Sequence, residues 1–547
     1  MGYEAGRYIT GNNTTAVGYE AYKGVSGSST GNDNTAIGFR ALTANTTGAY
    51  NSALGYDVLK ANTTGSNNTA VGRSALDANT TASDNTAIGY GCLGTNTTGA
   101  LNTAVGSNAL HNLATSSSNT AFGYAALEDC TGQENTAIGK GAAQQLTSSE
   151  GTIAIGMNAM GEGVTTGSNN IVIGNNAAKA TTSGYSNVVA GTEALEANTT
   201  GNKNVAIGYR AMESATTADQ SVAIGYAALN SITTLDYAVG IGHEALTQLT
   251  TGGQTTAIGF GCLKAVTTAS ANTGVGYKCL SACTAGHNTA MGHDAMEVCT
   301  DSPGNTAIGS YTMGNGAASG STNGYNTMIG YACGYQLTTG KNNTSIGNAA
   351  GKELTTGQNN TFLGRMAGMS GSPSGQISTG DNVVCLGDDS VANLYCADTS
   401  ISASDARDKT DIERFTHGLS WINQLSPVTY RWDKRSWYVN DPEFIDDPTT
   451  PIDEGAPDGS KKSPRLHVGF LAQEHLEVEK SHGFGTERDN MIITDLTEDG
   501  KKYGMKYERL VPVLVNAVKE LKAENDELRA LIKDSKTFAS LKSSINN

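Results

Sequence analysis

A short phrase, Asn-Thr-Ala-Ile/Val-Gly, returns at a nearly fixed interval through the first 387 residues of this 547-residue chain. Its closing glycines, from Gly18, Gly38 and Gly55 to Gly347, Gly364 and Gly387, mark 22 units, most of them 17 residues apart and a few 16 to 23. Written out, the unit is NTAIGYxALxxxTTGxx. A period held this strictly constrains the fold more than any single residue does. One unit is too small to bury its own apolar side and must stack on its neighbours, as in a solenoid.

Gly and the β-branched Thr, Ile and Val disfavour helices of this length. Two short strands per coil, joined by a Gly turn and an Asn/Thr/Gly turn, suit the residues better. Each coil then advances the stack by about 4.8 Å, one strand spacing. The expectation is that columns of Leu, and of the Ile/Val before each repeat glycine, fill the inside, with Asn and Thr stacked in polar ladders. Cys92, Cys262, Cys279 and Cys333 stand three residues after the repeat glycine; Cys130, Cys283 and Cys299 stand seven after it. Small apolar side chains at column positions read as core filler. Pairs in adjacent coils could approach disulfide distance, but nine cysteines with no CxxC spacing argue against a disulfide or metal framework.

Near residue 400 the material changes. Residues 1–403 carry 14 Lys+Arg and 25 Asp+Glu, whereas 404–547 carry 21 and 26, with all three tryptophans (Trp421, Trp432, Trp437) and seven of the nine prolines. A net charge of −16 without clustered Lys/Arg in the repeats excludes nucleic acid as a partner. No apolar run approaches the roughly 20 residues of a membrane span, and no charged-then-apolar leader opens the chain, so neither membrane insertion nor a secretion signal is expected. The opening, MGYEAGRYITGNNTTAVG, begins partway through a repeat, which reads as an initiator Met1 placed on a fragment whose upstream attachment region is missing.

The repeats resemble the heads of trimeric autotransporter adhesins, whose N-S-x-A-I-G units form a parallel β-roll, and similar repeats occur in phage fibres. That resemblance implies fold, not function, since a shaft can present many surfaces. A polysaccharide-degrading tail spike would need paired carboxylates on one face. Here Asp and Glu form no obvious column, and His111, His243, His287 and His293 are scattered without an HxH or HExxH spacing. No cofactor or metal site follows. The long steps from Gly309 to Gly330 and from Gly364 to Gly387 predict loops, which serve recognition or simply tolerate insertion. Residues 440–464, acidic and Pro-rich, read as a solvated loop.

Three later stretches come in order: SDARDKTDI (404–412), VGFLAQEHLEV (468–478) and YERLVPVLVNAVKEL (507–521). Together they resemble the C-terminal intramolecular chaperone of phage endosialidases, tail fibres and neck appendages, and the first fits the family pattern S-D-x-R-x-K-x-x-I without departure. The resemblance implies a domain that assembles the upstream fibre as a homotrimer and then cuts itself off before the motif Ser. Carried onto this chain, cleavage falls between Ala403 and Ser404, with Ser404 as nucleophile and Lys409 as general base. Asp405, Arg407 and Gln473 would support the site. A Lys is a base only when neutral, so burial against other chains must lower its pKa, which couples cutting to assembly. The chemistry is single-turnover self-cleavage; multiple-turnover activity is not expected.

The last stretch supports association from its own spacing. Val511, Val518, Asn525 and Ile532 recur every seven residues, as do Leu514, Leu521 and Leu528, the a and d positions of a short coiled coil. Those residue types favour two strands, whereas the resemblance implies three. The expected architecture is a mostly β chain: a repetitive β-roll or β-solenoid shaft over 1–390, a junction at 391–403, an α+β chaperone over 404–506, and a C-terminal helix and tail over 507–547. The expected function is a phage tail fibre or appendage that binds a host cell-surface receptor, assembles in the host cytoplasm and joins the virion through the missing N-terminal region. A bacterial trimeric surface adhesin, which would need a signal peptide and a membrane barrel, and the polysaccharide-degrading spike are the alternatives.

Overall fold

The computed structural model describes residues 2–298, 302–314, 323–391, 409–434, 457–497, 500, 502–534 and 538–545. They fall into two compact units, Met1–Asn326 and Thr327–Asn547. The chain is mostly β, a parallel β-solenoid at about 17 residues per coil followed by a smaller α+β region that ends in helix. Among its described residues the first unit holds eighteen three-residue strands, one per coil, from β1 (Thr15–Val17) to β18 (Thr306–Ile308). Strands of neighbouring coils pair parallel and in register: Thr15, Ala16 and Val17 lie against Thr35, Ala36 and Ile37 of β2 (Thr35–Ile37). The second unit opens with four more coils, β19 (Thr327–Ile329) to β22 (Val384–Leu386).

Each coil therefore has one strand, where the composition suggests two. After the repeat glycine the backbone runs through turns, because the second and fourth residues take the left-handed conformation, as at Arg40 (φ 50°) and Leu42 (φ 57°). That conformation costs a leucine about 1–2 kcal/mol. Full burial of the side chain stabilises by about 1.5–3 kcal/mol, enough to offset it. The inter-coil bonding continues regardless: the Leu42 N–H donates to the Val58 carbonyl at 3.0 Å.

The side chains of the strand also face differently from the expectation. Ala36 is wholly buried while Ile37 is 37% exposed, and the same holds at Ala53 and Leu54 or Ala87 and Ile88. The Leu column lies inside; the Ile/Val column before the repeat glycine points outward. Parity explains this. Asn34 is buried because its side chain serves the neighbouring coil: its Oδ1 accepts the Asn51 N–H at 2.9 Å and its Nδ2 donates to the Gly48 carbonyl at 2.8 Å. Side chains alternate along a strand, so an inward Asn34 puts Thr35 out, Ala36 in and Ile37 out. Gly38 then turns the corner at φ +135°, where a Cβ would lie 2.0 Å from the Gly55 carbonyl oxygen.

A second buried ladder runs through Asn45, Asn62, Asn79 and Asn96: the last three each donate Nδ2 to the Oδ1 one coil back, and Asn45 donates to the Tyr22 hydroxyl. It ends at Leu113, and there the Asn96 Oδ1 turns to accept the Gly99 N–H of its own coil at 3.1 Å. Cysteines fill the same interior: Cys92, Cys130, Cys262, Cys279, Cys333 and Cys385 are buried and free, and Cys283 is buried with them. Cys299 and Cys396 lie outside the described residues.

Past the coils come α1 (Leu419–Ile422), β23 (Val428–Tyr430), β24 (His467–Gly469), α2 (Ala472–Ser481), β25 (Thr494–Leu496), β26 (Tyr503–Met505), α3 (Leu510–Asp534) and α4 (Phe538–Ile545). The strands form two antiparallel pairs, β23 with β24 and β25 with β26. Trp421, Val478, Ile493, Leu510 and Val513 make the core, flanked by Phe415, Phe470 and Phe484. No helix among the described residues is long and apolar enough to cross a membrane.

Candidate functional site

The polar centre of the α+β region is Glu479, on the inner face of α2 and fully buried. Its carboxylate accepts the N–H groups of Ile492 (3.0 Å), Ile493 (3.0 Å) and Thr494 (2.5 Å) and the Thr494 hydroxyl (2.9 Å), tying the start of β25 to the helix. One turn earlier, buried His475 accepts the Trp421 indole N–H at its Nε2 (3.5 Å). Its Nδ1 stands 3.3 Å from Glu479 Oε1. Burial alone would raise the Glu479 pKa. The His475 side chain, the Thr494 and Ile492 N–H groups and the Thr494 hydroxyl more than offset that, and hold the carboxyl below its ordinary value.

Two apolar surfaces have no partner among the described residues. On the first unit, the outward side of the sheet carries Val17, Ile37, Leu54, Ile88 and Phe122, between 37% and 57% exposed. From β9 (Ile153–Ile155) to β14 (Val239–Ile241) the Thr of the phrase is itself replaced by Ile or Val, so both outward positions turn apolar. The other surface is on α3, whose Leu510, Val513 and Ala517 are buried while Val511, Leu514, Val518, Leu521, Leu528 and Ile532 are exposed. The inner side is fixed by Glu520, which accepts the Leu419 N–H at 2.6 Å, and by Asn516, whose Nδ2 donates to the Phe415 carbonyl at 2.7 Å.

The residue after the repeat glycine forms a third column. Tyr209, Tyr226, His243, Phe260, Tyr277 and His293 stack at centroid distances of 4.7–5.6 Å. In the first coils Arg73 fills a gap of the same column, over the rings of both Tyr56 and Tyr90. The ring faces are turned on one another, at interplanar angles of 12–23°. Among the described residues one trio of carboxylates, Glu193, Glu196 and Glu213, comes within 4.8 Å. Arg210 lies 2.7 Å from Glu193 and 3.5 Å from Glu213 and supplies the positive charge there.

Of the residues assigned to self-cleavage, Ala403, Ser404, Asp405 and Arg407 lie outside the described residues, and Lys409 is the first described residue after them, exposed. Gln473 and Glu474 are exposed on the first turn of α2, while His475 and Glu479 of the same helix point into the core. The loop inserted between Gly364 and Gly387 folds inward, burying Met366, Met369, Ser372 and Ile377, instead of projecting as a recognition loop. Residues 315–322 of the other long step lie outside the described residues.

A repeat solenoid leading into a small α+β domain defines a shaft with a C-terminal accessory domain. The model of a family described as chaperone of endosialidase matches residues 404–484, the first part of that domain. No curated protein matches the chain.

Proposed function

We propose that this chain is the shaft of a phage tail fibre or appendage, assembled as a homotrimer by a C-terminal chaperone that then cuts itself off before Ser404. The family match carries the reading, because it begins at Ser404, where the repeat material gives way to the domain. Ser404 Oγ attacks the Ala403 carbonyl carbon as neutral Lys409 Nζ takes the hydroxyl proton. The C–N bond breaks with a proton delivered to the Ser404 nitrogen, and water hydrolyses the ester. Ala403 is left as a carboxylate and Ser404 as a free amine. Asp405, Arg407 and Gln473 orient the site through hydrogen bonds. Lys409 is exposed in the single chain; neighbouring copies would desolvate it and depress its pKa, so cutting waits for assembly.

Homotrimerisation is supported by the two unpartnered apolar surfaces. A stripe repeating once per coil through eighteen coils is matched along its length only by an object of the same period, a further copy in parallel register. The exposed heptad face of α3 calls for the same parallel partners. The mature fibre would bind a receptor on the host cell surface and sit on the virion through a region N-terminal to this chain. No metal or cofactor takes part in the proposed chemistry.

The test is a denaturing gel of the assembled protein with N-terminal sequencing. Two bands are expected, of 403 and 144 residues, the shorter beginning Ser-Asp-Ala-Arg. Ser404→Ala and Lys409→Ala should each leave one full-length band. Wild-type protein that assembles yet stays full length would refute the assignment and leave 404–547 a folding domain only.

A further inference from the structure

Along much of the shaft the Thr-Thr-Gly corner is tied to the next coil by backbone bonds. The Thr216 and Thr217 N–H groups both donate to the Thr233 carbonyl, at 2.8 and 3.2 Å, and the Thr250 N–H donates to the Thr267 carbonyl at 2.8 Å. Between the coils of Thr233 and Thr250 these ties are missing. Among the described residues the Thr233 and Thr234 N–H groups have no acceptor, and the Thr250 and Asp236 carbonyls have no donor. Leu235 is the cause. It stands where the corner has glycine, and one coil on, at Gly252, an added Cβ would lie 2.2 Å from the Ala269 carbonyl oxygen. Alanine is tolerated at this position, as at Ala218, but the buried Leu235 side chain wedges the coils apart. Gly253 leaves room for it, since a Cβ there would lie 3.6 Å from Leu235 Cδ1.

The parted coils leave a slot of about 310 Å³, with Asp236 and Tyr237 on one lip and Gly253 and Gln254 on the other. Asp236 Oδ1 accepts the Asp219 N–H at 2.7 Å, and Oδ2 has no partner among the described residues. Tyr237 is 57% exposed, and its neighbours in the column are Gln220 and Gln254, so no ring covers its face. We propose that this slot binds a neutral hexose unit of a host surface glycan. The inference rests on the receptor-binding reading above and names the class of receptor and its place on the shaft. A sugar ring has an apolar C–H face for Tyr237 and hydroxyls for the rest. Asp236 Oδ2 and the Asp236 carbonyl accept from hydroxyls, while the Thr234 N–H and the Gln254 amide donate to them. The Asp236 carboxylate repels sugars that carry one of their own, which selects against acidic glycans.

The test is saturation-transfer NMR on the full chain with the methyl glycosides of glucose, galactose and mannose, and with methyl glucuronide as the acidic comparison. Transfer to at least one neutral glycoside is expected, several-fold weaker in Tyr237→Ala. Leu235→Gly removes the wedge and Gly253→Asn fills the slot with a side chain that the same column carries at Asn202. Both should lose the transfer while circular dichroism shows a folded shaft that melts no lower than wild type. No transfer to any neutral glycoside overturns the proposal, as do transfer that both variants retain and stronger transfer to the glucuronide. Adsorption of the labelled chain to intact bacteria tests the receptor reading separately. Cells that take up wild type and both variants equally keep that reading and overturn the slot as the receptor site. A chain that adsorbs to no cell, yet loses glycoside transfer in both variants, keeps the slot and removes the receptor reading.

Discussion

Asn79 shows how single side chains hold the coils in step. Its Nδ2 donates to Asn62 Oδ1 at 2.7 Å and to the Ala82 carbonyl at 3.1 Å, and its own Oδ1 accepts from Asn96. Asn79→Leu keeps the branching and the number of heavy atoms but orphans groups on both sides, each at about 1–3 kcal/mol, and should lower the melting temperature of the shaft. Equal stability in thermal unfolding would show the ladder to be dispensable. The interior thiols give a second check. Burial pushes Cys92 and Cys130 up to about 11 and Cys333 up to about 12. At pH 8 these three should resist iodoacetamide until the chain is denatured, as read by peptide mass; labelling at the rate of a free thiol would contradict their placement. Glu479 makes a pH prediction. Its folded pKa lies below the ordinary carboxylate value. Its contribution to stability is thus present above that value and is lost as pH falls through the lower, folded one. Every tryptophan lies beyond residue 404, so the melting of the chaperone can be followed by tryptophan fluorescence alone. Its midpoint should drop across the acid range in wild type and change less in Glu479→Gln.

The coil itself was half legible. Period, parallel stacking, the Leu column and the buried cysteines follow from spacing, because a repeat must stack and small or branched residues at fixed offsets fill its interior. Hydropathy alone would send Ile37 inward with Leu42; what sends it outward is the bonding duty of Asn34, three residues earlier, and strand parity. The missing second strand was invisible for a related reason: nothing in a Leu announces a left-handed backbone. In the C-terminal domain, SDARDKTDI with the two later stretches marks where the family match begins, whereas Glu479 carries no signal because its partners are backbone N–H groups 13 to 15 residues further on. Parity can be tested on β10 (Ile171–Ile173), where Val172 is buried and Ile173 is 44% exposed. Val172→Asp buries an unpaired charge and should cost about 4 kcal/mol or more in shaft stability. Ile173→Asp should leave the coil folded and weaken association instead. Circular dichroism with light scattering separates the two, and equal unfolding by both would return Ile173 to the core.

For the molecule as a whole, the two unpartnered surfaces ask for the same thing. The shaft exposes a regular apolar stripe on one side of its sheet, and α3 exposes a heptad face on the side turned away from its own domain. Covering such surfaces at about 25 cal/mol per Å² of apolar area gives association a driving force that grows with every coil. Parallel copies would cover each surface, and on the proposed reading assembly would then desolvate Lys409. The most direct measurement is the native mass of the purified full-length protein after assembly. Three chains per particle is the predicted result. A stable particle holding one chain, with the Ile/Val stripe still open to solvent, would contradict it.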